Sequence, residues 1–488
     1  MRILFAMPYP PSRIRVRAYG FLTHLQHARE VTIVTQCASE QERADVETLR
    51  NQGYEVVVVQ EQKMRCTLRS GFALLSSTPL QVAYARSASF TQAVQELCRQ
   101  RPFDVVHVEH MRGIASLEPV ARIRPLVWDA VDCISLLCKH TIASGPSAGV
   151  RGVALLEHKR TQRYEARMVR QLPHILVTSE RDRQAMITLH RTQMGDLVTS
   201  DEALGAGIRV LPNGVDLAYF SPVPTQRRSH NIVFSGKMSY HANIATALYL
   251  HKQIMPLIWD QLPDASLTIV GNKPPQSILK LAQDPRVEVT GYVDDLRPYI
   301  RRADVVLSPM VYSVGIQNKV LEAMALGTPV VVAAQAVAAL GARPGQDLLV
   351  AETAPEFARA ALRVMGDAQL QASLSQYGHA YVEQHHNWQT VTEQIVDVYE
   401  QAIADFGGGH EQGDRKGHHE QSDRKGHHEQ SDRKGHHEQS DRKGHHEQGD
   451  RKGHHEQGDR KGHHEQGDRK GRPYYTTTSE CEVGTIKV

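Results

Sequence analysis
The chain has 488 residues, 40% hydrophobic and 23% charged, an ordinary globular composition on a length that exceeds a single core. Its net charge of +3 gives no ground for a nucleic-acid partner or a polybasic anchor, and no run is apolar for long enough to span a bilayer. The scattered cysteines, none in a CxxC pair, suggest neither a zinc knuckle nor a disulfide scaffold; a reducing cytoplasm fits, with peripheral contact at the inner membrane face left open.

In chain order, Ile3–Met7 reads as a buried first strand, because Pro8, Pro10 and Pro11 follow an apolar run too short for a secretory leader. Val31–Thr35, Glu55–Val59, Val105–Val108, Leu126–Asp129 and His174–Thr178 read as further strands. Amphipathic helical stretches such as Phe90–Arg101 and Ala154–Gln171 lie between them. Continuous apolar strands alternating with helices predict a parallel sheet covered on both faces. After the turn-rich segment Leu211–Pro224 the pattern restarts with Ile232–Ser235, Ser266–Val270, Val287–Thr290, Val305–Ser308 and Thr328–Val332. Helices at Ile244–Trp259 and Lys319–Leu326 separate these strands, and a late helix is predicted at Trp388–Ala404. The expected class is α/β, with two doubly wound, Rossmann-like domains facing a cleft. Residues 1–211 would form one and 212–387 the other, and the helix 388–406 would pack back on the first.

From Gly408 the composition changes. The repeat GHHEQ(S/G)DRK runs through 408–470, with an imperfect copy at Gly408–Lys416 and perfect tandem copies from Gly417 to Lys470. It contains no apolar residue, so it cannot offset the entropy of ordering and is predicted to be disordered; a histidine-rich metal-binding tail is the alternative. Residues 471–488 carry no functional signal.

The most informative segment is Ser308–Val332, SPMVYSVGIQNKVLEAMALGTPVVV, which reads as strand end, loop, helix and strand. Loop N–H groups from Ser313, Val314, Gly315, Ile316, Gln317 and Asn318, with the helix dipole behind them, would form an anion site. Lys319 falls in the first helical turn and Glu322 one turn later on the same face. A cation beside phosphates and a carboxylate beside ribose hydroxyls suit a nucleoside diphosphate.

This segment resembles the donor-binding motif of the GT-B glycosyltransferases, in the large retaining group-1 family with mannosyltransferase and sucrose synthase-like members. It is similar to the GIxNKVLEAMAxGxPVV variant of polysaccharide-assembly transferases. The likeness extends over about residues 1–405 through MRILFAMPYPPSRIRVR, FDVVHVEHMRG, LPNGVD, FSGKM and TGYVDDLRPYIRRADVVLSP, in that order. It implies sugar transfer from a nucleoside diphosphate-sugar to a sugar or lipid-linked hydroxyl acceptor with retention, in cell-surface polysaccharide or glycolipid synthesis. No metal or other cofactor is implied. A nucleotide-sugar 2-epimerase and a non-catalytic nucleotide-sugar-binding protein are the rival readings.

By position, the resemblance makes Glu322 the ribose ligand, while the first glutamate of the family's pair is replaced by Val314. Gly236 and Lys237 fall at the diphosphate-binding strand end, and the second lysine usual after them is missing, for which Lys319 is the expected substitute. Tyr292 and Val293 fall where backbone groups meet the base. In the first domain Glu109, with His110 next, ends a strand near the reacting sugar as the catalytic candidate, while His107 points back into the fold. Asp129 and Asp132 form a second pair. Where related enzymes carry a glycine-rich loop, Arg13, Arg15 and Arg17 alternate instead, expected to face the cleft and hold phosphate or carboxylate.

Overall fold
The computed structural model describes residues 1–12, 15–25, 29–144, 148–194, 205–223, 229–310 and 317–417. The residues to 407 form one compact unit built on two parallel sheets. In the first, β1 (Arg2–Met7), β2 (Glu30–Cys37), β3 (Glu55–Gln60), β4 (Val105–Glu109), β5 (Leu126–Val131), β6 (Ile175–Val177) and β7 (Ile208–Val210) lie in the order β3-β2-β1-β4-β5-β6-β7. In the second, β8 (Asn231–Ser235), β9 (Ser266–Val270), β10 (Val287–Gly291), β11 (Val305–Ser308), β12 (Val330–Val332) and β13 (Leu349–Val350) lie in the order β10-β9-β8-β11-β12-β13. This is the two-fold α/β arrangement the alternation predicts. β7 and β13 are additions, too short to show a period of their own.

The sheets form because their strands are apolar on both faces. Residues of β1, β4 and β5 contribute to one core with Phe90, Ile114 and Met168, and to another on the opposite face with Phe21, Leu22 and Leu49. The second sheet is covered in the same way, by Met255, Ile258 and Phe357 on one side and Leu296, Leu321 and Met324 on the other. The predicted helix Ile244–Trp259 is three pieces: α-helix His241–Tyr249, a π turn Leu250–Ile254 and α-helix Met255–Trp259. Pro256, which has no N–H to donate to the preceding turn, falls in the first turn of the last piece.

The helix Trp388–Gly417 places Trp388, Ile395 and Tyr399 in the core that contains Phe5 and Phe21. A Cβ on Gly20 would lie 2.2 Å from the Trp388 ring and one on Gly214 only 2.5 Å from it, so the indole occupies space that only glycine leaves open. Elsewhere, the helix Ala334–Leu340 of the second half lies against the helix Glu180–Met194 of the first.

Candidate functional site
In each sheet the strand order reverses once, between β1 and β4 and between β8 and β11, and at such a point the loops leaving the carboxyl ends diverge and open a crevice. Gly236 and Lys237 leave β8; Pro309 and Met310 leave β11, and the chain returns at Gln317 to enter the helix Asn318–Ala325. Ser313, Val314, Gly315 and Ile316 lie outside the described residues. Lys, Leu, Glu, Ala and Met are strong helix formers, and every residue of this helix is buried.

The interior of this crevice is polar and closely connected. Lys319 Nζ donates to Asn243 Oδ1 at 2.6 Å, and Asn243 Nδ2 donates to the Lys237 carbonyl at 3.0 Å. The Lys319 ammonium also sits 4.7 Å from the centroid of the Phe234 ring. Asn243 therefore links the Lys319 ammonium to the Lys237 backbone, far apart in the sequence. Behind it, a Cβ on Gly271 would come within 1.7 Å of the Gly236 carbonyl, so glycine here permits the strand ends to touch.

Two polar groups in this interior have no partner among the described residues. Ser308 Oγ donates to Gln317 Oε1 at 2.9 Å, which leaves the buried Gln317 Nε2 unpaired. Glu322 is buried with its Oε2 unpaired; burial pushes its carboxyl up to about 8, against the opposing pull of Lys319. A buried carboxyl without its hydrogen bonds costs free energy, on the order of 1–3 kcal/mol per missing partner. Such groups are candidates for a ligand site.

The helix start is more enclosed than the sequence predicts. Gln317, Asn318 and Lys319 are buried, and Asn213 Nδ2 donates to Asn318 Oδ1 at 3.3 Å. Close packing across the domain linker closes what helix geometry alone would leave open. Tyr292 lies half exposed after β10 with its hydroxyl donating to Asp294 at 3.0 Å, and Val293 packs into the core beneath.

At the first sheet's reversal, Glu109 ends β4 fully buried. Burial, and secondarily the neighbouring Asp129, push its carboxyl up to about 8, and its Oε2 has no partner among the described residues. His110 follows with φ of 65°, a left-handed conformation that costs a non-glycine residue of the order of 1 kcal/mol. Its Nδ1 accepts from the Arg112 N–H at 3.2 Å. Burial and then Arg112 push the imidazole down to about 3, so the ring is neutral with its proton on Nε2. At the end of β5, Val131 is also left-handed at 69°, a second strained strand end on the same edge. His107 lies inside the fold, stacked at 4.4 Å on Phe5 and hydrogen-bonded to the Tyr399 hydroxyl at 3.0 Å.

The arginine expectation is corrected. Arg17 does not face an open cleft: it is buried, pairs with Asp129 at 2.6 Å, and donates to the Leu211 carbonyl at 2.9 Å and Asn213 Oδ1 at 3.0 Å. A buried carboxylate at the end of β5 needs a cation, and helix geometry delivers Arg17 to it. Arg15 donates to the Pro10 carbonyl at 2.7 Å, lies 3.6 Å from Glu42 and stacks 3.9 Å from the Tyr9 ring centroid. Arg13 lies outside the described residues. Asp132 is buried and accepts from Thr178 Oγ1 at 3.1 Å.

Two residues that the sequence reading passes over connect these parts. Asn213 reads as turn chemistry before Gly214, yet its side chain joins Arg17 to Asn318. The line Asp129–Arg17–Asn213–Asn318 thus runs from the first sheet to the helix beside Lys319. Asn243 gives no sequence signal beyond a polar residue on an apolar helix face.

The fold defines the class: two Rossmann-like α/β domains in the GT-B arrangement. Anabaena HepE, solved with UDP, superimposes with a TM-score of 0.56 at 16% identity, covering 82% of this chain and 100% of that one, a likeness of fold. Residues 229–367 match the family described as "Glycosyl transferases group 1". In sequence the chain is similar to the phosphatidyl-myo-inositol mannosyltransferase of Mycolicibacterium smegmatis, 28% identical over 230 residues, 43% of this chain and 58% of the relative. It is also similar to the D-inositol 3-phosphate glycosyltransferase of Salinispora arenicola, 27% identical over 267 residues, 47% of this chain and 57% of the relative. The alignments span less than two thirds of either relative.

Proposed function
We propose that this protein is a glycosyltransferase that binds a nucleoside diphosphate-sugar at the second sheet and transfers the sugar, with retention, to a hydroxyl acceptor held at the first. The observation that carries the reading is the buried Glu322, unpaired at one oxygen, one helical turn from Lys319 at the β8/β11 reversal. Ribose hydroxyls would supply the hydrogen bonds that Glu322 lacks and favour its ionised form. Lys237, Lys319 and the Gln317 amide would hold the diphosphate, and their stabilisation of the departing charge is the main catalytic contribution. Neutral His110 and the buried Glu109 stand on the first sheet's edge, suited to hydrogen-bonding a sugar and accepting the acceptor's proton. Support also comes from the group-1 match over the second half and from a structural neighbour solved with UDP.

The acceptor class in this proposal is a sugar or a lipid-linked sugar, which the inositol-lipid relative favours. The reaction assigned here draws on no metal, so turnover should survive chelation with EDTA. The decisive experiment is titration with UDP, GDP and ADP, followed by incubation with the matching sugar nucleotides. Binding of one nucleotide, weakened in Glu322→Gln, with a sugar-sized mass gain on an acceptor, would establish the reading. No binding of any of the three would refute it, and an unchanged substrate mass with altered stereochemistry would indicate an epimerase.

A further inference from the structure
At the edge of the second sheet opposite the crevice, the structure leaves a cavity of about 580 Å³. Arg301 and Gly327, which line it, precede β11 and β12, so it lies at the amino ends of those strands. Its other walls are Pro222 and Val223, at the end of the turn-rich linker, and the helix Ala368–His385. That helix turns Ala368, Ala372, Ser375 and His379 toward the cavity at helical spacing, and its small side chains leave the space unfilled. The volume falls in the range of pockets that hold small organic molecules.

The lining carries positive charge and no aspartate or glutamate. Arg301 is half-buried; its Nη2 donates to the Ser221 carbonyl at 2.6 Å, and its Nε is buried without a partner among the described residues. Asp295, the carboxylate closest to it in sequence, is paired with Arg297 at 2.7 Å. Burial, and then the Arg297 charge, lower the Arg301 pKa from its ordinary value, against a smaller opposing pull from Asp295. Arg301 is thus a cation short of counter-charge.

The helix Asn318–Ala325 ends at the same cavity with its last carbonyls taken. The N–H groups of Leu326, Gly327 and Thr328 donate to the carbonyls of Glu322, Met324 and Ala323, and His379 Nδ1 donates to the Ala325 carbonyl at 2.8 Å. These carbonyls leave Arg301 to set the charge of the cavity. The same bond holds the His379 proton on Nδ1, so that Nε2 of the neutral ring is an acceptor for a hydroxyl group. The exposed Gln376 amide on the same helix face can both donate and accept.

We propose that this cavity binds a small anion bearing hydroxyl groups, of the sugar-phosphate or sugar-acid class, with its charge on Arg301 and its hydroxyls on His379 Nε2 and Gln376. Seven residues, roughly 10 Å of helix, separate Leu326 at the cavity from Lys319 at the crevice, so the inference does not depend on the nucleotide site.

The test is isothermal titration of the full chain with glucose 6-phosphate and with glucuronate, beside glucose and inorganic phosphate. One or both of the hydroxylated anions should bind about tenfold tighter than glucose or phosphate alone, because charge and hydroxyl contacts must be made together. Which of the two binds assigns the anionic group. Arg301→Met keeps the stem and removes the charge, and should lower that affinity about tenfold. Ala372→Trp fills the cavity from an exposed position, leaves the polar side chains in place and should abolish binding. Both variants should keep the wild-type circular dichroism. Failure of both anions to bind would overturn the proposal. So would inorganic phosphate binding as tightly as either, or binding that either variant retains at wild-type strength.

Discussion

The two strand-order reversals are alike in backbone and opposite in what fills them. At β8/β11 the polar groups converge on a space they do not satisfy: Gln317 Nε2 and Glu322 Oε2 are buried without partners among the described residues. At β1/β4 the strongest charges are already matched, with Arg17 closed on Asp129 and Arg15 engaged by Pro10 and Glu42. What remains there is Glu109, with one oxygen unpaired, the strained, neutral His110, and the buried Arg17 Nη2 and His107 Nε2, which have no hydrogen-bond partner among the described residues. One reversal is therefore organised to take up a charged, hydrogen-bonding ligand. In the proposed function the other acts on a bond rather than gripping a phosphate. Arg17, which as a sequence looks like a phosphate binder, is tied to Asp129 and to the Leu211 carbonyl instead.

The largest effect should fall on the scaffold. Arg17→Ala strands Asp129 in the interior and should cost about 3–5 kcal/mol of stability in chemical denaturation, the range for breaking a buried ion pair. A folded, stable variant with weakened phosphate binding would reverse the assignment. Next, Glu322→Gln should lower kcat/KM for the donor about a hundredfold or more, chiefly through binding, because it removes an ionised acceptor at a desolvated site. Glu109→Gln should lower kcat by about a hundredfold with the nucleotide Kd unchanged, as measured by titration. Equal losses of affinity in these two variants would erase the distinction between the reversals.

The smallest effect is on pH dependence. The Glu322 carboxyl is held at about 8 in the fold, above its ordinary value of 4.5. A raised acid binds its proton more tightly folded than unfolded, so its contribution to stability is full below 4.5 and is lost as pH rises through 8. In the absence of nucleotide, Glu322→Gln should gain stability relative to wild type progressively between pH 5.5 and 8.5, as read from urea midpoints. A saturating nucleotide should remove or invert that advantage.

The sequence by itself determined the sheets and pointed to the candidate site. Runs such as Ile232–Phe234 and Val305–Leu307 are apolar throughout, which only a strand buried on both faces tolerates, and their spacing leaves room for one helix each. It also placed Lys319 and Glu322 on one helix face, because that follows from a local repeat. Tertiary structure alone decided which polar groups are consumed and which are left over. Arg17 meets Asp129, Asn213 meets Asn318 and Asn243 meets Lys319 across long stretches of chain, and β7 and β13 exist only through neighbours that supply their hydrogen bonds. A local pattern fixes how a segment buries its apolar side, whereas a charge is satisfied by whatever the completed fold brings within about 3 Å of it.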